Sequence, residues 1–301
     1  MKRPGCVHIP DHKSTEEIGR SRHMELNRFH GTESVQKLHT GELIEKRYRV
    51  LAELGVGAMG SVYKARDEVL GRDVAIKSPL GNKGRIEETV RYLRRELEAL
   101  ARISHKNVVG FIDLGFSKGM ELIVMEYLDG RDLFSLSPLG WEEARPLFMQ
   151  LCDALQAGHE NGVVHGDVKP NNIVVIDKDG TETVKLFDFG TVKFMDAPDG
   201  DIGRTPNGEI IGTLYYVSPE MLDGANFDQR TDIFALGITM YQTLSGRIPI
   251  PIISPPAPLG VLGVEIPKSA EEAIMRAMEN RPEDRFQSAE DMKKALSGIV
   301  L

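Results

Sequence analysis

The chain contains a group of polar residues whose types and spacing suit phosphoryl transfer. Residues 165–172 read His-Gly-Asp-Val-Lys-Pro-Asn-Asn, and Asp188 begins the triplet Asp-Phe-Gly sixteen residues later. Asp167 could accept a hydroxyl proton, Lys169 could neutralise a phosphate, and Asn172 and Asp188 offer oxygen ligands that suit Mg²⁺. A single loop aspartate is more often a turn residue or a helix cap. The prediction of a catalytic loop beside a metal-bound nucleotide therefore depends on the whole set at this spacing.

A glycine-rich segment lies upstream of this set. Residues 55–62 read Gly-Val-Gly-Ala-Met-Gly-Ser-Val, in which Gly55, Gly57 and Gly60 let the backbone approach phosphates and present N–H groups to them. Such a pattern is weak by itself, because glycine-rich hairpins are common. A predicted strand follows it here, whereas a dinucleotide-binding turn would require a helix. The segment therefore favours a hairpin that covers nucleotide phosphates.

Lys77 is the candidate cation for those phosphates. In the strand pattern Val-Ala-Ile-Lys its side chain shares a face with Ala75, which would leave room for a flat base. An interior lysine needs a partner, and Glu96 lies at the edge of an apolar helical stripe that contains Leu93 and Leu100. We predict a Lys77–Glu96 ion pair. The alternative is a glutamate that reaches solvent from the edge of the stripe.

The elements that must position these residues change in type along the chain. Short β-prone runs separated by glycine turns are followed by helical patterns. The predicted strands span residues 48–54, 61–65, 73–77, 108–114 and 121–127, and the predicted helices span 85–102, 141–161, 231–245, 270–279 and 288–297. The sequence therefore predicts an α+β fold with two lobes, in which a five-stranded sheet with one helix precedes a mainly helical lobe.

The same pattern predicts the division of the chain. We assign a flexible polar arm to residues 1–45, a first lobe to residues 46–128 and a second lobe to residues 129–301. The hinge is expected near residues 126–130. Ligands favour clefts between lobes, so the nucleotide should bind there.

The composition excludes several classes of protein. The chain has 301 residues and a net charge of −8 without a dominant basic segment, which argues against nucleic-acid binding. No apolar run is long enough to cross a membrane, and no apolar segment follows the first basic residues as in a signal peptide. The two distant cysteines indicate free thiols in a reducing compartment. We therefore expect a cytoplasmic protein whose partners are neither nucleic acids nor membranes.

These segments together resemble the protein kinase family over roughly residues 46–298. The run Leu-Gly-Val-Gly-Ala-Met-Gly-Ser-Val-Tyr-Lys is similar to bacterial Ser/Thr protein kinases. Residues 212–220 resemble the end of an activation segment. Asp232 resembles the helix-borne aspartate that braces the catalytic loop, and Arg285 resembles the arginine that pairs with Glu220.

The resemblance implies roles for individual residues. Asp167 is the implied base, with Lys169, Lys77 and Glu96 as the other catalytic residues, and Asn172 and Asp188 are the implied metal ligands. The residues implied to contact the nucleotide are Leu54, Gly55, Gly57, Gly60, Val62, Ala75, Lys77, the gatekeeper Met125, Glu126, Leu128 and Val174. The residues implied to stabilise the active arrangement are His165, Phe189 and Leu100, stacked as a regulatory spine, and Glu220, Asp232 and Arg285.

The implied activity is transfer of the ATP γ-phosphate to Ser or Thr hydroxyls of proteins, with Mg²⁺ or, in its place, Mn²⁺. Lys169 and Thr213 fit Ser/Thr acceptors better than Tyr. Autophosphorylation is expected at one or more of Thr191, Thr205 and Thr213, although each is also an ordinary loop hydroxyl.

The main departure from the family pattern is Gly166, which stands where many members carry an arginine that binds a phosphorylated activation loop. Lys193 is then the only nearby cation that matches the family's basic pocket, and we expect activity without an activation-loop phosphate. His-Gly-Asp also occurs in small-molecule phosphotransferases of the aminoglycoside and choline kinase type, which is one alternative function. A pseudokinase scaffold that binds nucleotide without catalysis is another.

Two further positions bear on substrate binding. The segment 247–267 is rich in proline where the family usually has a helix, so that helix is expected to be shortened or absent. Asp132 matches a position that can meet the ribose or a basic substrate residue.

Overall fold

The computed structural model describes residues 37–57, 60–79, 86–189, 192–194, 214–225 and 227–298. All of them belong to one unit that spans residues 35–301. The predicted Thr191, Thr205 and Thr213, the start of the segment 212–220 and most of the expected arm lie outside the described residues.

The first part of the chain forms a six-stranded antiparallel sheet with one helix. Its strands are β1 (Leu43–Ile44), β2 (Tyr48–Val56), β3 (Gly60–Asp67), β4 (Arg72–Pro79), β5 (Phe111–Ser117) and β6 (Met120–Glu126), in the order β1-β2-β3-β4-β6-β5. Helix α1 (Ile86–Arg102) lies between β4 and β5 in the chain. The five predicted strands and the helix are present, and β1 is an additional strand.

Alternating side chains give this sheet two apolar faces. On one face, Ala75, Ile123 and Met125 join the core cluster that contains Leu93 and Leu100 of α1. The other face carries a separate buried cluster, which consists of Leu38, Ile44, Tyr48, Val50, Tyr63, Ala65, Val74, Ile76, Leu122 and Val124. The face that carries Ala75 is the one that α1 covers and that turns toward the second lobe's core.

The folded unit starts earlier than the sequence predicts. Leu38 and Ile44 are only 4% and 2% exposed and pack into the second cluster, although both fall within the expected flexible arm. Gly41 N donates to Val50 O at 2.8 Å, and Lys118 Nζ lies 3.0 Å from Glu42 Oε2. The expected boundary at residue 45 is therefore wrong, because apolar burial and these bonds attach the segment to the sheet.

The second part of the chain is mainly helical. Its helices are α2 (Leu133–Leu136), α3 (Trp141–Glu160), α4 (Pro219–Leu222), α5 (Arg230–Ser245), α6 (Lys268–Ala277) and α7 (Ala289–Ser297). Residues 231–244 of α5 are all buried, which fits a helix that other elements surround. A Cβ at Gly237 would lie 2.9 Å from Ala277 Cβ, so this glycine permits α6 to approach α5.

Short strands frame the loop at residues 165–172. They are β7 (Arg131–Asp132), β8 (Val163–Val164), β9 (Ile173–Lys178), β10 (Thr181–Leu186) and β11 (Lys193–Phe194). β9 lies between β7 and β10, and β8 pairs with β11. The strands β7, β8 and β11 are not predicted from the sequence, because a two-residue strand has no periodicity.

The longer predicted elements agree closely with the structure, and the largest shift is in β5, predicted over 108–114 and observed over Phe111–Ser117. Residues 247–267 contain no α-helix, only turns and a 3₁₀ turn at Gly260–Leu262, as expected. Among the described residues, no helix combines the length and the apolar character needed to span a membrane.

Candidate active site

The catalytic-loop residues converge on one carboxylate. Asp167 lies between β8 and β9, and its Oδ2 accepts from Lys169 Nζ at 2.6 Å and from Asn172 Nδ2 at 3.0 Å. Asn172 Nδ2 also donates to Asp167 O at 2.9 Å, so one amide fixes both the backbone and the side chain of Asp167. Burial raises the pKa of Asp167 above its ordinary value, although Lys169 acts in the opposite direction. The carboxylate is therefore oriented and more basic than a free aspartate.

Asp232 fixes the backbone of this loop through hydrogen bonds. Its buried carboxylate accepts from His165 N at 2.9 Å, from Gly166 N at 2.8 Å and from His159 Nε2 at 2.8 Å. Burial alone would raise the pKa of Asp232, but the bond from His159 and the neighbouring N–H groups keep it below its ordinary value. Gly166 has a φ of 76°, a conformation that glycine adopts without strain. The brace predicted for Asp232 is present, and His159 is an additional member that the sequence analysis missed.

Lys77 is held between two carboxylates. Its Nζ lies 2.6 Å from Glu96 Oε2 and 2.6 Å from Asp188 Oδ1, so the predicted Lys77–Glu96 ion pair is present. Burial would lower the pKa of Lys77, but the two carboxylates outweigh it and the pKa is raised. Burial alone would raise the pKa of Asp188, but Lys77 outweighs it and the pKa is lowered. The ammonium is thus fixed and charged at the position where the strand meets the helix.

Asn172 and Asp188 form a donor set that suits a hard divalent cation. Phe187 N donates to Asn172 O at 3.0 Å, so Asn172 lies beside the residue that precedes Asp188 at the end of the β9–β10 hairpin. The Asn172 amide nitrogen faces Asp167, which directs its oxygen away from that carboxylate. Asp188 has a φ of 64°, an uncommon backbone conformation that is often found at functional sites. It binds Lys77 through Oδ1 alone. An amide oxygen and a carboxylate oxygen are ligands that Mg²⁺ accepts.

Several of the expected nucleotide contacts share one face of the first sheet. In the sheet register Val62 pairs with Lys77 and Ala75 pairs with Met125, so these four side chains share a face. Val62 and Leu128 are partly buried against the same core cluster, Val174 belongs to β9, and Leu54 is half-exposed on β2. The geometry therefore places Val62, Ala75 and Met125 on the face that carries Lys77.

The glycines of residues 55–62 permit close backbone contacts between neighbouring strands. A Cβ at Gly60 would lie 2.5 Å from Ser78 O, so this position cannot carry a side chain without moving β4. Gly57 N donates to Gly60 O at 2.8 Å, which closes the turn between β2 and β3. Gly55 pairs with Val62 in the same hairpin. Residues 58 and 59 lie outside the described part of the chain.

Glu126, at the end of β6, turns its side chain away from the face that carries Lys77. Its Oε1 accepts from Lys185 Nζ at 2.5 Å and from Gly110 N at 2.8 Å, while its backbone N donates to Gly110 O at 2.9 Å. The side chain thereby ties the end of the sheet to β10, which leads to Asp188.

The expected spine residues are packed together. The rings of His165 and Phe189 lie 4.5 Å apart at 59°, and Phe189 and Leu100 belong to the same buried cluster. His165 Nε2 also lies 3.1 Å from Phe187 O, which connects the catalytic loop to the residues before Asp188.

Glu220 and Arg285 form the predicted pair. Arg285 Nη1 and Nη2 each lie 2.8 Å from one carboxylate oxygen of Glu220, and the arginine side chain is fully buried. Thr231 Oγ1 donates to the same carboxylate at 2.8 Å. Burial would raise the pKa of Glu220, but the bonds from Arg285 keep it below its ordinary value.

Two expected residues have structural partners of their own. Asp132 Oδ1 accepts from Ser135 N at 2.8 Å and caps α2, a role that the sequence analysis does not anticipate. Lys193 Nζ donates to Phe227 O at 2.8 Å and lies over the Phe227 ring. A short polar residue before a helix was the available signal for the Asp132 cap.

Known proteins share this arrangement of elements. Residues 48–259 match the family model of the protein kinase domain. The chain is 33% identical over 268 residues to the serine/threonine-protein kinase PrkC of Bacillus subtilis, which covers 84% of this chain and 40% of that protein. It is 33% identical over 280 residues to the serine/threonine-protein kinase pkn3 of Myxococcus xanthus, with 87% and 51% covered. The chain thus spans about half or less of these relatives' length.

A solved structure matches over nearly its whole length. The crystal structure of the Mycobacterium tuberculosis PknI kinase domain is similar with a TM-score of 0.65 and 26% sequence identity. The match covers 87% of this chain and 99% of that chain. It includes both the sheet and the helical part of the present fold.

Proposed function

The chain belongs to the protein kinase family, and on this premise we propose that it transfers the γ-phosphate of ATP to serine or threonine hydroxyls of proteins. The observation that carries the proposal is the convergence of Lys169 and Asn172 on the Asp167 carboxylate, beside a hairpin end that holds Asp188 against Lys77. The similarity to bacterial serine/threonine-protein kinases supports the same acceptor class.

Each residue has a proposed task in the transfer. Asp167 orients the acceptor hydroxyl and takes its proton late in the reaction, for which a raised pKa is useful. Lys169 balances charge on the transferred group, and Lys77, steadied by Glu96, binds the other phosphates. The wall formed by Val62, Ala75 and Met125 would receive the adenine.

We propose that Asn172 and Asp188 hold Mg²⁺, with Mn²⁺ as the alternative ion. A divalent cation supplies charge neutralisation for the β- and γ-phosphates when it is bound. The chain contributes the ligands in a fixed relation, because the hairpin pairs the strand after Asn172 with the strand before Asp188. Titration of activity against each ion separately would identify the better cofactor.

The direct test is an assay with ATP labelled at the γ-position. Wild type should label itself or a general protein substrate, and Asp167→Asn should label neither while it still binds nucleotide. Transfer only to aminoglycosides or choline would support a small-molecule phosphotransferase. Nucleotide binding without any transfer would support a pseudokinase scaffold.

The Glu220–Arg285 pair favours the protein kinase proposal over the small-molecule alternative. It attaches the end of residues 212–220 to the helical core, and the resemblance associates that segment with protein substrates. The lobe boundaries that we propose are residues 37–128 and 129–298, which adjusts the first lobe for the buried Leu38.

A further inference from the structure

Helix α1 is tied to the sheet by a second charged contact besides Lys77–Glu96. Arg94 Nε lies 2.8 Å from Glu121 Oε2, and Arg94 Nη2 lies 2.8 Å from Glu121 Oε1. The two parallel bonds make a bidentate pair, which has a defined direction in the way that apolar contacts do not. The Glu121 side chain is only 7% exposed, whereas the Arg94 side chain is 48% exposed.

The two contacts lie on the same face of the sheet. Lys77 on β4 pairs in register with Ile123 on β6. Glu121 is two residues before Ile123 on β6, so its side chain points to the same face. That face is the one that packs against α1. Arg94 and Glu96 therefore reach from one helix to neighbouring strands.

The two ion pairs have opposite polarity. The sheet offers a cation at Lys77 and an anion at Glu121, and the helix offers Glu96 to the first and Arg94 to the second. A helix that slid or rotated would break both contacts, so the two pairs together oppose such a displacement.

The apolar contacts of α1 do not supply this constraint by themselves. Val90, Leu93 and Leu100 are buried aliphatic side chains on one stripe. Their burial is favourable but non-directional. The bidentate Arg94–Glu121 pair and the buried Lys77–Glu96 pair add a direction to the packing of α1.

We propose that Arg94 and Glu121 are positioning residues that hold α1 at the rotation where Glu96 meets Lys77. The inference rests on the proposed kinase function for its effect on activity. Neither residue belongs to the wall formed by Val62, Ala75 and Met125. Both act through the Lys77–Glu96 pair.

The test is a pair of single substitutions, Arg94→Gln and Glu121→Gln, each measured in the wild-type and in the Glu96→Gln background. In the wild-type background we expect kcat/KM for ATP to fall about tenfold, since a hydrogen-bonded charged contact is lost. In the Glu96→Gln background the same substitution should change kcat/KM by less than about twofold, because residues that act through one contact are not additive.

Arg281→Gln is the matched control. Arg281 forms an exposed pair with Glu283 at 2.6 Å in the helical part, so its loss should leave kcat/KM unchanged. An equal fall in both backgrounds would overturn the proposal, because Arg94 would then act independently of Glu96. A fall of less than about twofold in the wild-type background would overturn it as well. Arg94→Lys, which retains the charge but not the bidentate geometry, should recover part of the activity.

Hydrogen exchange of the α1 amides gives a readout that does not depend on catalysis. Arg94→Gln and Glu121→Gln should speed exchange in residues 91–100, and Arg281→Gln should not. If the wild type transfers no phosphate, the proposed function fails, but this measurement still decides whether the Arg94–Glu121 pair holds α1 in place. Unchanged exchange in both variants would overturn the proposal. If Arg94→Gln does not fold, the nearly isosteric Glu121→Gln decides the same question.

Discussion

The hydrogen bonds of Arg285 allow the effect of its substitution on the free energy of unfolding to be predicted in detail. Its guanidinium is fully buried and has five N–H donors. Nε donates to Glu279 O at 2.7 Å, Nη1 donates to Glu220 Oε1 and to Arg230 O, and Nη2 donates to Glu220 Oε2 and to Asn280 O. All five donors are therefore satisfied, and the group also lies over the Phe234 ring.

Two substitutions separate charge from geometry. Arg285→Lys keeps the charge but has three donors, so at least two bonds are lost, at a cost of about 2–3 kcal/mol in the free energy of unfolding. Arg285→Met removes every bond and leaves the Glu220 carboxylate unpaired, which should cost about 3–5 kcal/mol. The matched control Arg281→Met removes an exposed pair and should cost less than about 1 kcal/mol.

Urea unfolding measures these differences, and pH adds a second check. The lowered pKa of Glu220 means that its pairing stabilises the wild type at neutral pH and that this contribution is lost as the pH falls below about 5. In Arg285→Met the effect of burial is opposed only by the weaker bonds from Thr231 and the backbone, so the pKa of Glu220 should be higher than in the wild type and acid should relieve the variant. The difference in unfolding free energy between wild type and Arg285→Met should therefore shrink from neutral pH toward about pH 4.5.

Two results would refute this reasoning. One is a cost for Arg285→Met no larger than that of Arg281→Met, which would mean that the buried network adds nothing over a surface pair. The other is a difference that stays constant with pH, which would mean that the unpaired Glu220 carboxylate is not the source of the loss. Thermal unfolding should give the same ranking, with a shift of about 2–4 °C per kcal/mol for a chain of this size.

Four further outcomes are expected. Asp232→Asn places an amide N–H against a buried N–H donor, so we expect about 2–4 kcal/mol less stability in urea and a lower kcat; a normal kcat would contradict the bracing role. Ile44→Ala should cost about 2–4 kcal/mol in the same titration because the side chain is buried in the sheet cluster, and a cost near zero would show that β1 is dispensable. Gly166 has no side chain to bind a phosphate, so phosphatase treatment should leave kcat within about twofold; a large loss would refute this. Lys169 opposes the effect of burial on the pKa of Asp167, so Lys169→Met should move the acidic limb of the kcat/KM profile to higher pH, and an unmoved limb would mean that Asp167 does not control it.

The parts of the fold that follow from the sequence are those with a long period. Helix α1 has its apolar stripe at helical spacing, and α5 is a long apolar run, so both appear at the predicted places. Lys77 and Glu96 could be paired from the sequence because each is awkward alone: a lysine in a buried strand and a carboxylate on an apolar stripe. The need to neutralise a buried charge supports that pairing. Residue types and spacing indicate the catalytic loop, the metal ligands and the glycine-rich hairpin, and the family resemblance adds the remaining site residues.

The parts that the sequence could not give depend on tertiary contacts. Val108 and Val109 look like the start of β5, but Val109 N donates to Leu186 O at 2.9 Å, so this apolar pair joins β10 and the strand begins later. Leu38 and Ile44 are isolated apolar residues in a polar stretch, and only the sheet explains their burial. A two-residue strand carries no periodic signal at all.

The charged contacts of α1 show the same limit more sharply. Arg94 and Glu121 are of types that usually remain on the surface, and the end of α1, a loop, the strand β5 and a turn lie between them in the chain. Nothing in either local pattern marks them, whereas Glu96 is marked by the stripe that it interrupts. A sequence therefore reveals a charged residue that violates a local pattern, and it hides one that satisfies it.

The two lysines of the candidate site are both neutralised in this structure. Lys77 has Glu96 and Asp188 at 2.6 Å, and Lys169 has Asp167 at 2.6 Å. A phosphate group that bound these ammonium groups would compete with Asp188 and Asp167, which are the two carboxylates that the proposed reaction needs for other tasks. Glu96 is almost completely buried, so a phosphate that approaches Lys77 from the cleft would not compete with it directly. The contact that fixes Lys77 and the contacts that nucleotide must replace are therefore different ones, so the proposed role of α1 requires no contact between the helix and the substrate.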